Sequence, residues 1–131
     1  MHPLTGTWTA NLAKSQRHVN HQFQRVTMQF EVDGLAVSLR FEGVNHAGQA
    51  EEGVRRFEAD GVAHPDAAAP GVQSTTTLTD RCLEVTATKD NALAGRAAYE
   101  VSEDGTTLTA TTAGIDASGR AFDQVVVFDR A

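Results

Sequence analysis

The chain has 131 residues, 40% of them apolar and 21% charged, which suits one globular domain spanning 1–131. A formal net charge of −6 argues against a nucleic-acid backbone or an anionic membrane surface as the main partner, since both need a basic face. No apolar run approaches the roughly 20 residues of a membrane span. The opening MHPLTGTW lacks a signal peptide's charged and apolar regions, so the expected location is cytoplasmic.

In chain order, the first marked feature is Gly6-Thr7-Trp8, which holds the single tryptophan. The segment NLAKSQRHVNHQ, 11–22, predicts one helical turn at most. Period-two alternation then begins. VTMQFEV (26–32) puts Val26, Met28, Phe30 and Val32 on one face, and LAVSLRF (35–41) does the same for Leu35, Val37, Leu39 and Phe41. Asp33-Gly34 between them is a hairpin signal. Similar runs follow at 51–59, 72–79, 82–89, 95–102, 106–112 and 121–129, separated by turns such as Asp60-Gly61, Asp90-Asn91 and Asp104-Gly105. The expectation is all-β: a single up-and-down antiparallel meander of eight to ten strands. A sheet that is apolar on one side hides that side, and loses its edges, by closing into a barrel.

Two turns share a frame. GVNHAGQA (43–50) and GIDASGRA (114–121) both read Gly-[Val/Ile]-[Asn/Asp]-x-x-Gly-x-Ala. A shared hairpin type explains this more simply than a duplication does. The frame aligns Phe57 with Phe128 and Val54 with Val125. If Phe128 faces inward with Val126 and Gln124, then Phe57 faces inward with Arg55 and Gly53, which places an arginine inside the barrel.

The Gly-x-Trp on the first strand, the run of hairpins and the lone basic Arg130 in VVVFDRA together resemble the calycins. These comprise lipocalins, fatty-acid-binding proteins and avidins. The resemblance implies a calycin-like barrel in which Arg130 packs over Trp8 at a closed end. A guanidinium on an indole face contributes about 0.5–2 kcal/mol. Gly-Thr-Trp, VQSTTTLTD, CLEVTATKD and the ending Phe-Asp-Arg-Ala look most like the fatty-acid-binding branch, whereas WTANLAKS is also similar to small bacterial lipocalin-like domains. There are departures. The helix-turn-helix lid of fatty-acid-binding proteins does not fit in 11–22. Their carboxylate-gripping Arg-x-Tyr on the last strand is matched here by Val126 and Phe128. Avidin-like biotin binding needs several tryptophans. The resemblance therefore implies a lid-less barrel that holds a hydrophobic small molecule, aromatic, polyketide-like or lipid-like, with no cofactor.

The expected ligand-binding residues are Met28, Phe30, Leu39, Phe41, Arg55, Phe57, Ser74, Thr76, Tyr99, Gln124 and Val126: an apolar cavity with a few placed polar groups. A buried Arg55 needs a partner, either a ligand anion or Glu51 on its own strand face. The alternative reading is a small barrel enzyme, a cyclase, isomerase or lyase, working by confinement with one or two acid/base groups. Its candidates are Tyr99, Arg55 and His64, the last beside Asp66. No metal site is expected: His18 and His21 have i, i+3 spacing but no third ligand nearby in sequence. Cys82, the single cysteine, makes no internal disulfide and reads as structural. Val125 and Val127 give the last strand a second apolar face, which points to cover from a loop or a second subunit, and so to a homodimer.

Overall fold

The computed structural model describes residues 2–16, 23–65, 70–115 and 119–131. These form ten strands: β1 (Gly6–Gln16), β2 (Phe23–Asp33), β3 (Ala36–Asn45), β4 (Ala50–Glu58), β5 (Ala63–Pro65), β6 (Val72–Leu78), β7 (Cys82–Lys89), β8 (Ala92–Val101), β9 (Thr107–Ile115) and β10 (Ala121–Arg130). The sheet order is β4-β3-β2-β1-β10-β9-β8-β7-β6-β5, all antiparallel. This is the expected meander, rolled so that the first strand pairs with the last. β4 and β5 are left as the two edges that flank a seam.

The antiparallel order decides which ends meet. The β2–β3, β4–β5, β6–β7 and β8–β9 connections share one end with both termini. The strand ends that flank 17–22, 66–69 and 116–118 therefore all lie at the opposite end, the mouth.

Turn chemistry sets the registers. Asp90 and Asn91 both have positive φ, 53° and 64°, as a two-residue type I′ hairpin loop requires. The β2–β3 hairpin differs from expectation by one residue. Asp33 pairs with Ala36, so the loop is Gly34-Leu35, with Gly34 at φ 61°. Leu35 thus sits at the turn tip, 58% exposed, and not on the inner face. Residues 11–16 continue β1 as strand rather than forming a helical turn, with a bulge against β10 between Asn11 and Gln16. The short strand β5 is a further departure, since AHP carries no alternation.

The core lies at the closed end. Leu4, Trp8, Phe30, Leu83, Val101 and Leu108 are fully enclosed, with Phe128, Val37 and Leu39 nearly so. Each such side chain contributes roughly 1.5–3 kcal/mol by leaving water. Arg130 lies 4.1 Å above the Trp8 ring. Its guanidinium donates to the carbonyls of Gly105, Thr5 and Pro3, and Trp8 Nε1 donates to Leu4 O at 3.0 Å. The packing of Arg130 over Trp8 is what the resemblance implied, and the added hydrogen bonds tie both termini and the β8–β9 turn together. No helix among the described residues is long and apolar enough to cross a membrane.

Candidate functional site

Residues opposite one another in antiparallel register share a face of the sheet. One inner row runs Phe30–Leu39–Arg55, and the next towards the mouth runs Trp8–Met28–Phe41–Gly53. Across the barrel, one row runs Leu78–Leu83–Tyr99–Ala110–Val126, and the next towards the mouth Thr76–Val85–Ala97–Thr112–Gln124. Every expected site residue falls on such an inner row. Phe57 lies beside Val37, and Ser74 is opposite His64.

Burial along these rows is graded. Phe30, Leu39, Thr76 and Val126 are buried. Met28, Phe41, Phe57, Ser74, Tyr99 and Gln124 are only partly so, and Arg55 is exposed. These side chains face inward and yet keep partial exposure towards the mouth and seam.

Phe30 and Tyr99 mark the floor. Their rings meet edge to face, centroids 5.4 Å apart and planes at 63°, although β2 and β8 are four strands apart. Burial pushes the Tyr99 hydroxyl above the ordinary phenol range, and the Arg55 charge partly opposes this. Tyr99 is therefore a neutral O–H donor at neutral pH. Glu51, the intramolecular partner considered for Arg55, instead accepts from Asn45 Nδ2 at 3.3 Å.

Gly53 shapes the wall. A Cβ there would lie 2.5 Å from Cζ of Phe41, so the phenyl ring rests over the glycine. Periodicity placed both residues inward, but only their register shows that one accommodates the other.

His64 stands apart from the Arg55–Tyr99 pair. Its Nε2 lies 2.9 Å from Asp60 Oδ2 and 3.6 Å from Glu58 Oε2, where β4 turns into β5. Hydrogen bonding to Asp60 raises the His64 pKa. The Asp60 carboxyl is lowered, chiefly by the Val62 backbone N–H and then by His64. The donor atoms of Glu58, Asp60 and His64 lie within 4.8 Å of one another, a grouping that could hold a cation. Sequence spacing did not show it: the expected neighbour, Asp66, and the His18–His21 pair lie outside the described residues. The available signal was Asp60-Gly61, a turn that brings position 60 back to 64.

Cys82 begins β7 half-buried. Burial, then Glu84 and Glu100, pushes its thiol up, so it is a poor nucleophile. Val125 and Val127 are half-buried, and Ser15 Oγ of the bulged β1 accepts from Val127 N–H at 2.9 Å.

No protein-family model and no curated protein matches the chain. Solved structures do. The wild-type fluorescent protein UnaG superposes with a TM-score of 0.66 at 16% identity, over 97% of this chain and 96% of that one. Zebrafish ileal bile-acid-binding protein complexed with cholic acid gives 0.62 at 9%, over 98% and 99%. Rv2717c from M. tuberculosis gives 0.55 at 16%, over 98% and 93%.

Proposed function

From a chain with the calycin fold, we propose that this protein binds a hydrophobic small molecule, aromatic, polyketide-like or lipid-like, inside its barrel. The observation that carries this is the graded interior. Above the Phe30–Tyr99 contact, the inward Met28, Phe41, Ala97 and Gln124 keep partial exposure in a wall otherwise built of apolar and small residues. An apolar hollow with a few polar groups is how small-molecule sites are built. The fold is compatible with that use, since the zebrafish neighbour was solved with cholic acid. The polar contacts are assigned to Arg55, Tyr99, Ser74, Thr76 and Gln124. A net charge of −6 agrees with a small-molecule partner rather than nucleic acid or membrane.

Extraction of the purified protein followed by mass spectrometry tests this. An apolar compound is expected at near-stoichiometric amount, and its re-addition should raise Tm in a concentration-dependent way. If no such compound is found, and no member of an aromatic and lipid panel raises Tm, the proposal fails.

A further inference from the structure

Arg55 occupies an unusual position. It is on the inner row with Leu39 and Phe30, on edge strand β4 beside the seam. Among the described residues, no carboxylate pairs with it and nothing hydrogen-bonds to it. The other charged residues described on the inner face lie towards its ends, Glu51 and Lys89 near the mouth and Arg130 at the closed end. Tyr99 lies on the facing wall, close enough to feel the Arg55 charge. Its hydroxyl has no hydrogen-bond partner among the described residues. It is also not sealed off, since Thr5 Oγ1 is the one fully buried side-chain oxygen or nitrogen left without a partner there.

Arg55, on the Phe30–Leu39 row, and Tyr99, whose ring meets Phe30, are thus two inward donors bordering the same part of the interior, and the described chain supplies an acceptor to neither. We infer that Arg55 and Tyr99 form a seat for a single oxyanion, so that the ligand is an acid: an apolar body with one head group such as a carboxylate. This rests on the barrel interior being the binding space. A guanidinium presents a planar fork that matches a carboxylate edge, and a phenol O–H adds a third donor. The Phe30 ring against Tyr99 fixes where that hydroxyl stands. The seat differs from the carboxylate grip of the fatty-acid-binding branch, whose last-strand positions here hold Val126 and Phe128. It joins β4 to β8 instead.

A matched pair of probes separates the anion seat from the apolar hollow. N-phenyl-1-naphthylamine and 1-anilinonaphthalene-8-sulfonate share one aromatic body and differ in the sulfonate. The chain's net charge of −6 works against the anionic probe, so any preference for it has to arise locally. The wild type is expected to bind the sulfonate about tenfold or more tightly than the neutral probe. Arg55→Met should bring the two affinities within about threefold of each other, and Arg55→Lys should keep part of the preference. Tyr99→Phe should reduce the preference for the sulfonate. Equal affinity of the wild type for both probes, or a preference that survives Arg55→Met, overturns the anion seat and leaves the apolar hollow standing. Failure of both probes to bind overturns the hollow and the seat together.

Discussion

Phe30 on β2 and Tyr99 on β8 touch across the barrel, ring centroids 5.4 Å apart at 63°. This contact divides the interior. On the closed side lie Val37, Val101 and Leu108, buried, whereas one row towards the mouth Met28, Phe41, Ala97 and Gln124 keep partial exposure. An edge-to-face pair stabilises by about 0.5–1.5 kcal/mol beyond its burial. Phe30→Ala should therefore cost about 3–5 kcal/mol in urea unfolding. Tyr99→Phe keeps the ring and should change stability by less than about 1 kcal/mol. Equal losses in the two variants would show that the hydroxyl, not the ring, holds the floor.

The closed end should behave as a structural clasp. Trp8→Ala is expected to cost about 3–5 kcal/mol as a large buried aromatic. Arg130→Met loses the cation–π contact and three carbonyl partners, and should cost about 1–3 kcal/mol. Neither variant should alter small-molecule affinity while folded. Calorimetry with parallel probe titration checks both, and a stable Trp8→Ala protein that no longer binds would refute the assignment.

Two exposed turns should respond to pH with opposite sign. Asp104 accepts from Ser102 Oγ, Thr106 Oγ1 and Thr106 N–H, which lower its pKa from 3.8 to about 2. Its contribution is present above 3.8 and lost as pH falls towards about 2. His64 is raised above 6.5 by Asp60, so its contribution is full below 6.5 and lost as pH rises through the raised value. Tm measured from acid to alkaline pH should show Asp104→Ala flattening only the acid limb and His64→Ala only the limb above 6.5. Exchange of the two effects would contradict these assignments.

Gly53→Ala probes the wall. The new Cβ, 2.5 Å from the Phe41 ring, forces that ring towards the lumen. Stability should fall by about 1 kcal/mol or less, because a side-chain tip can swing aside. Neutral-probe binding should weaken severalfold. Unchanged binding would mean that Phe41 does not border the occupied space.

The strands were legible because inward Val, Leu and Phe alternate with Thr, Gln and Glu at period two. The 43–50 and 114–121 frame even carried the phase of Phe57 and Arg55, and Gly48 and Gly119 take nearly the same φ, 81° and 82°. Leu35 was misplaced because a two-residue loop can start at Asp33 or at Gly34, and one step moves a residue off the inner face. β5 was not legible: AHP has no alternation, and only pairing with β6 makes it a strand. The tie of His64 to Asp60 and Glu58 runs back through the Asp60-Gly61 turn, whereas its adjacency in sequence pointed forward to Asp66. Arg55 and Tyr99 could each be read as inward, but their convergence depends on how the sheet rolls.

The central claim is that the space above the floor is open and takes an apolar molecule. Ala97 lies on the inner face of β8, one row towards the mouth from Tyr99, and is half-buried. Fluorescence titration of N-phenyl-1-naphthylamine into wild type and Ala97→Phe tests the claim most directly. The wild type should bind one probe saturably, and the variant should melt near the wild-type temperature yet bind at least about tenfold more weakly, its phenyl ring filling the hollow. A wild type that shows no saturable binding, or an Ala97→Phe protein that binds as well as wild type, would contradict it.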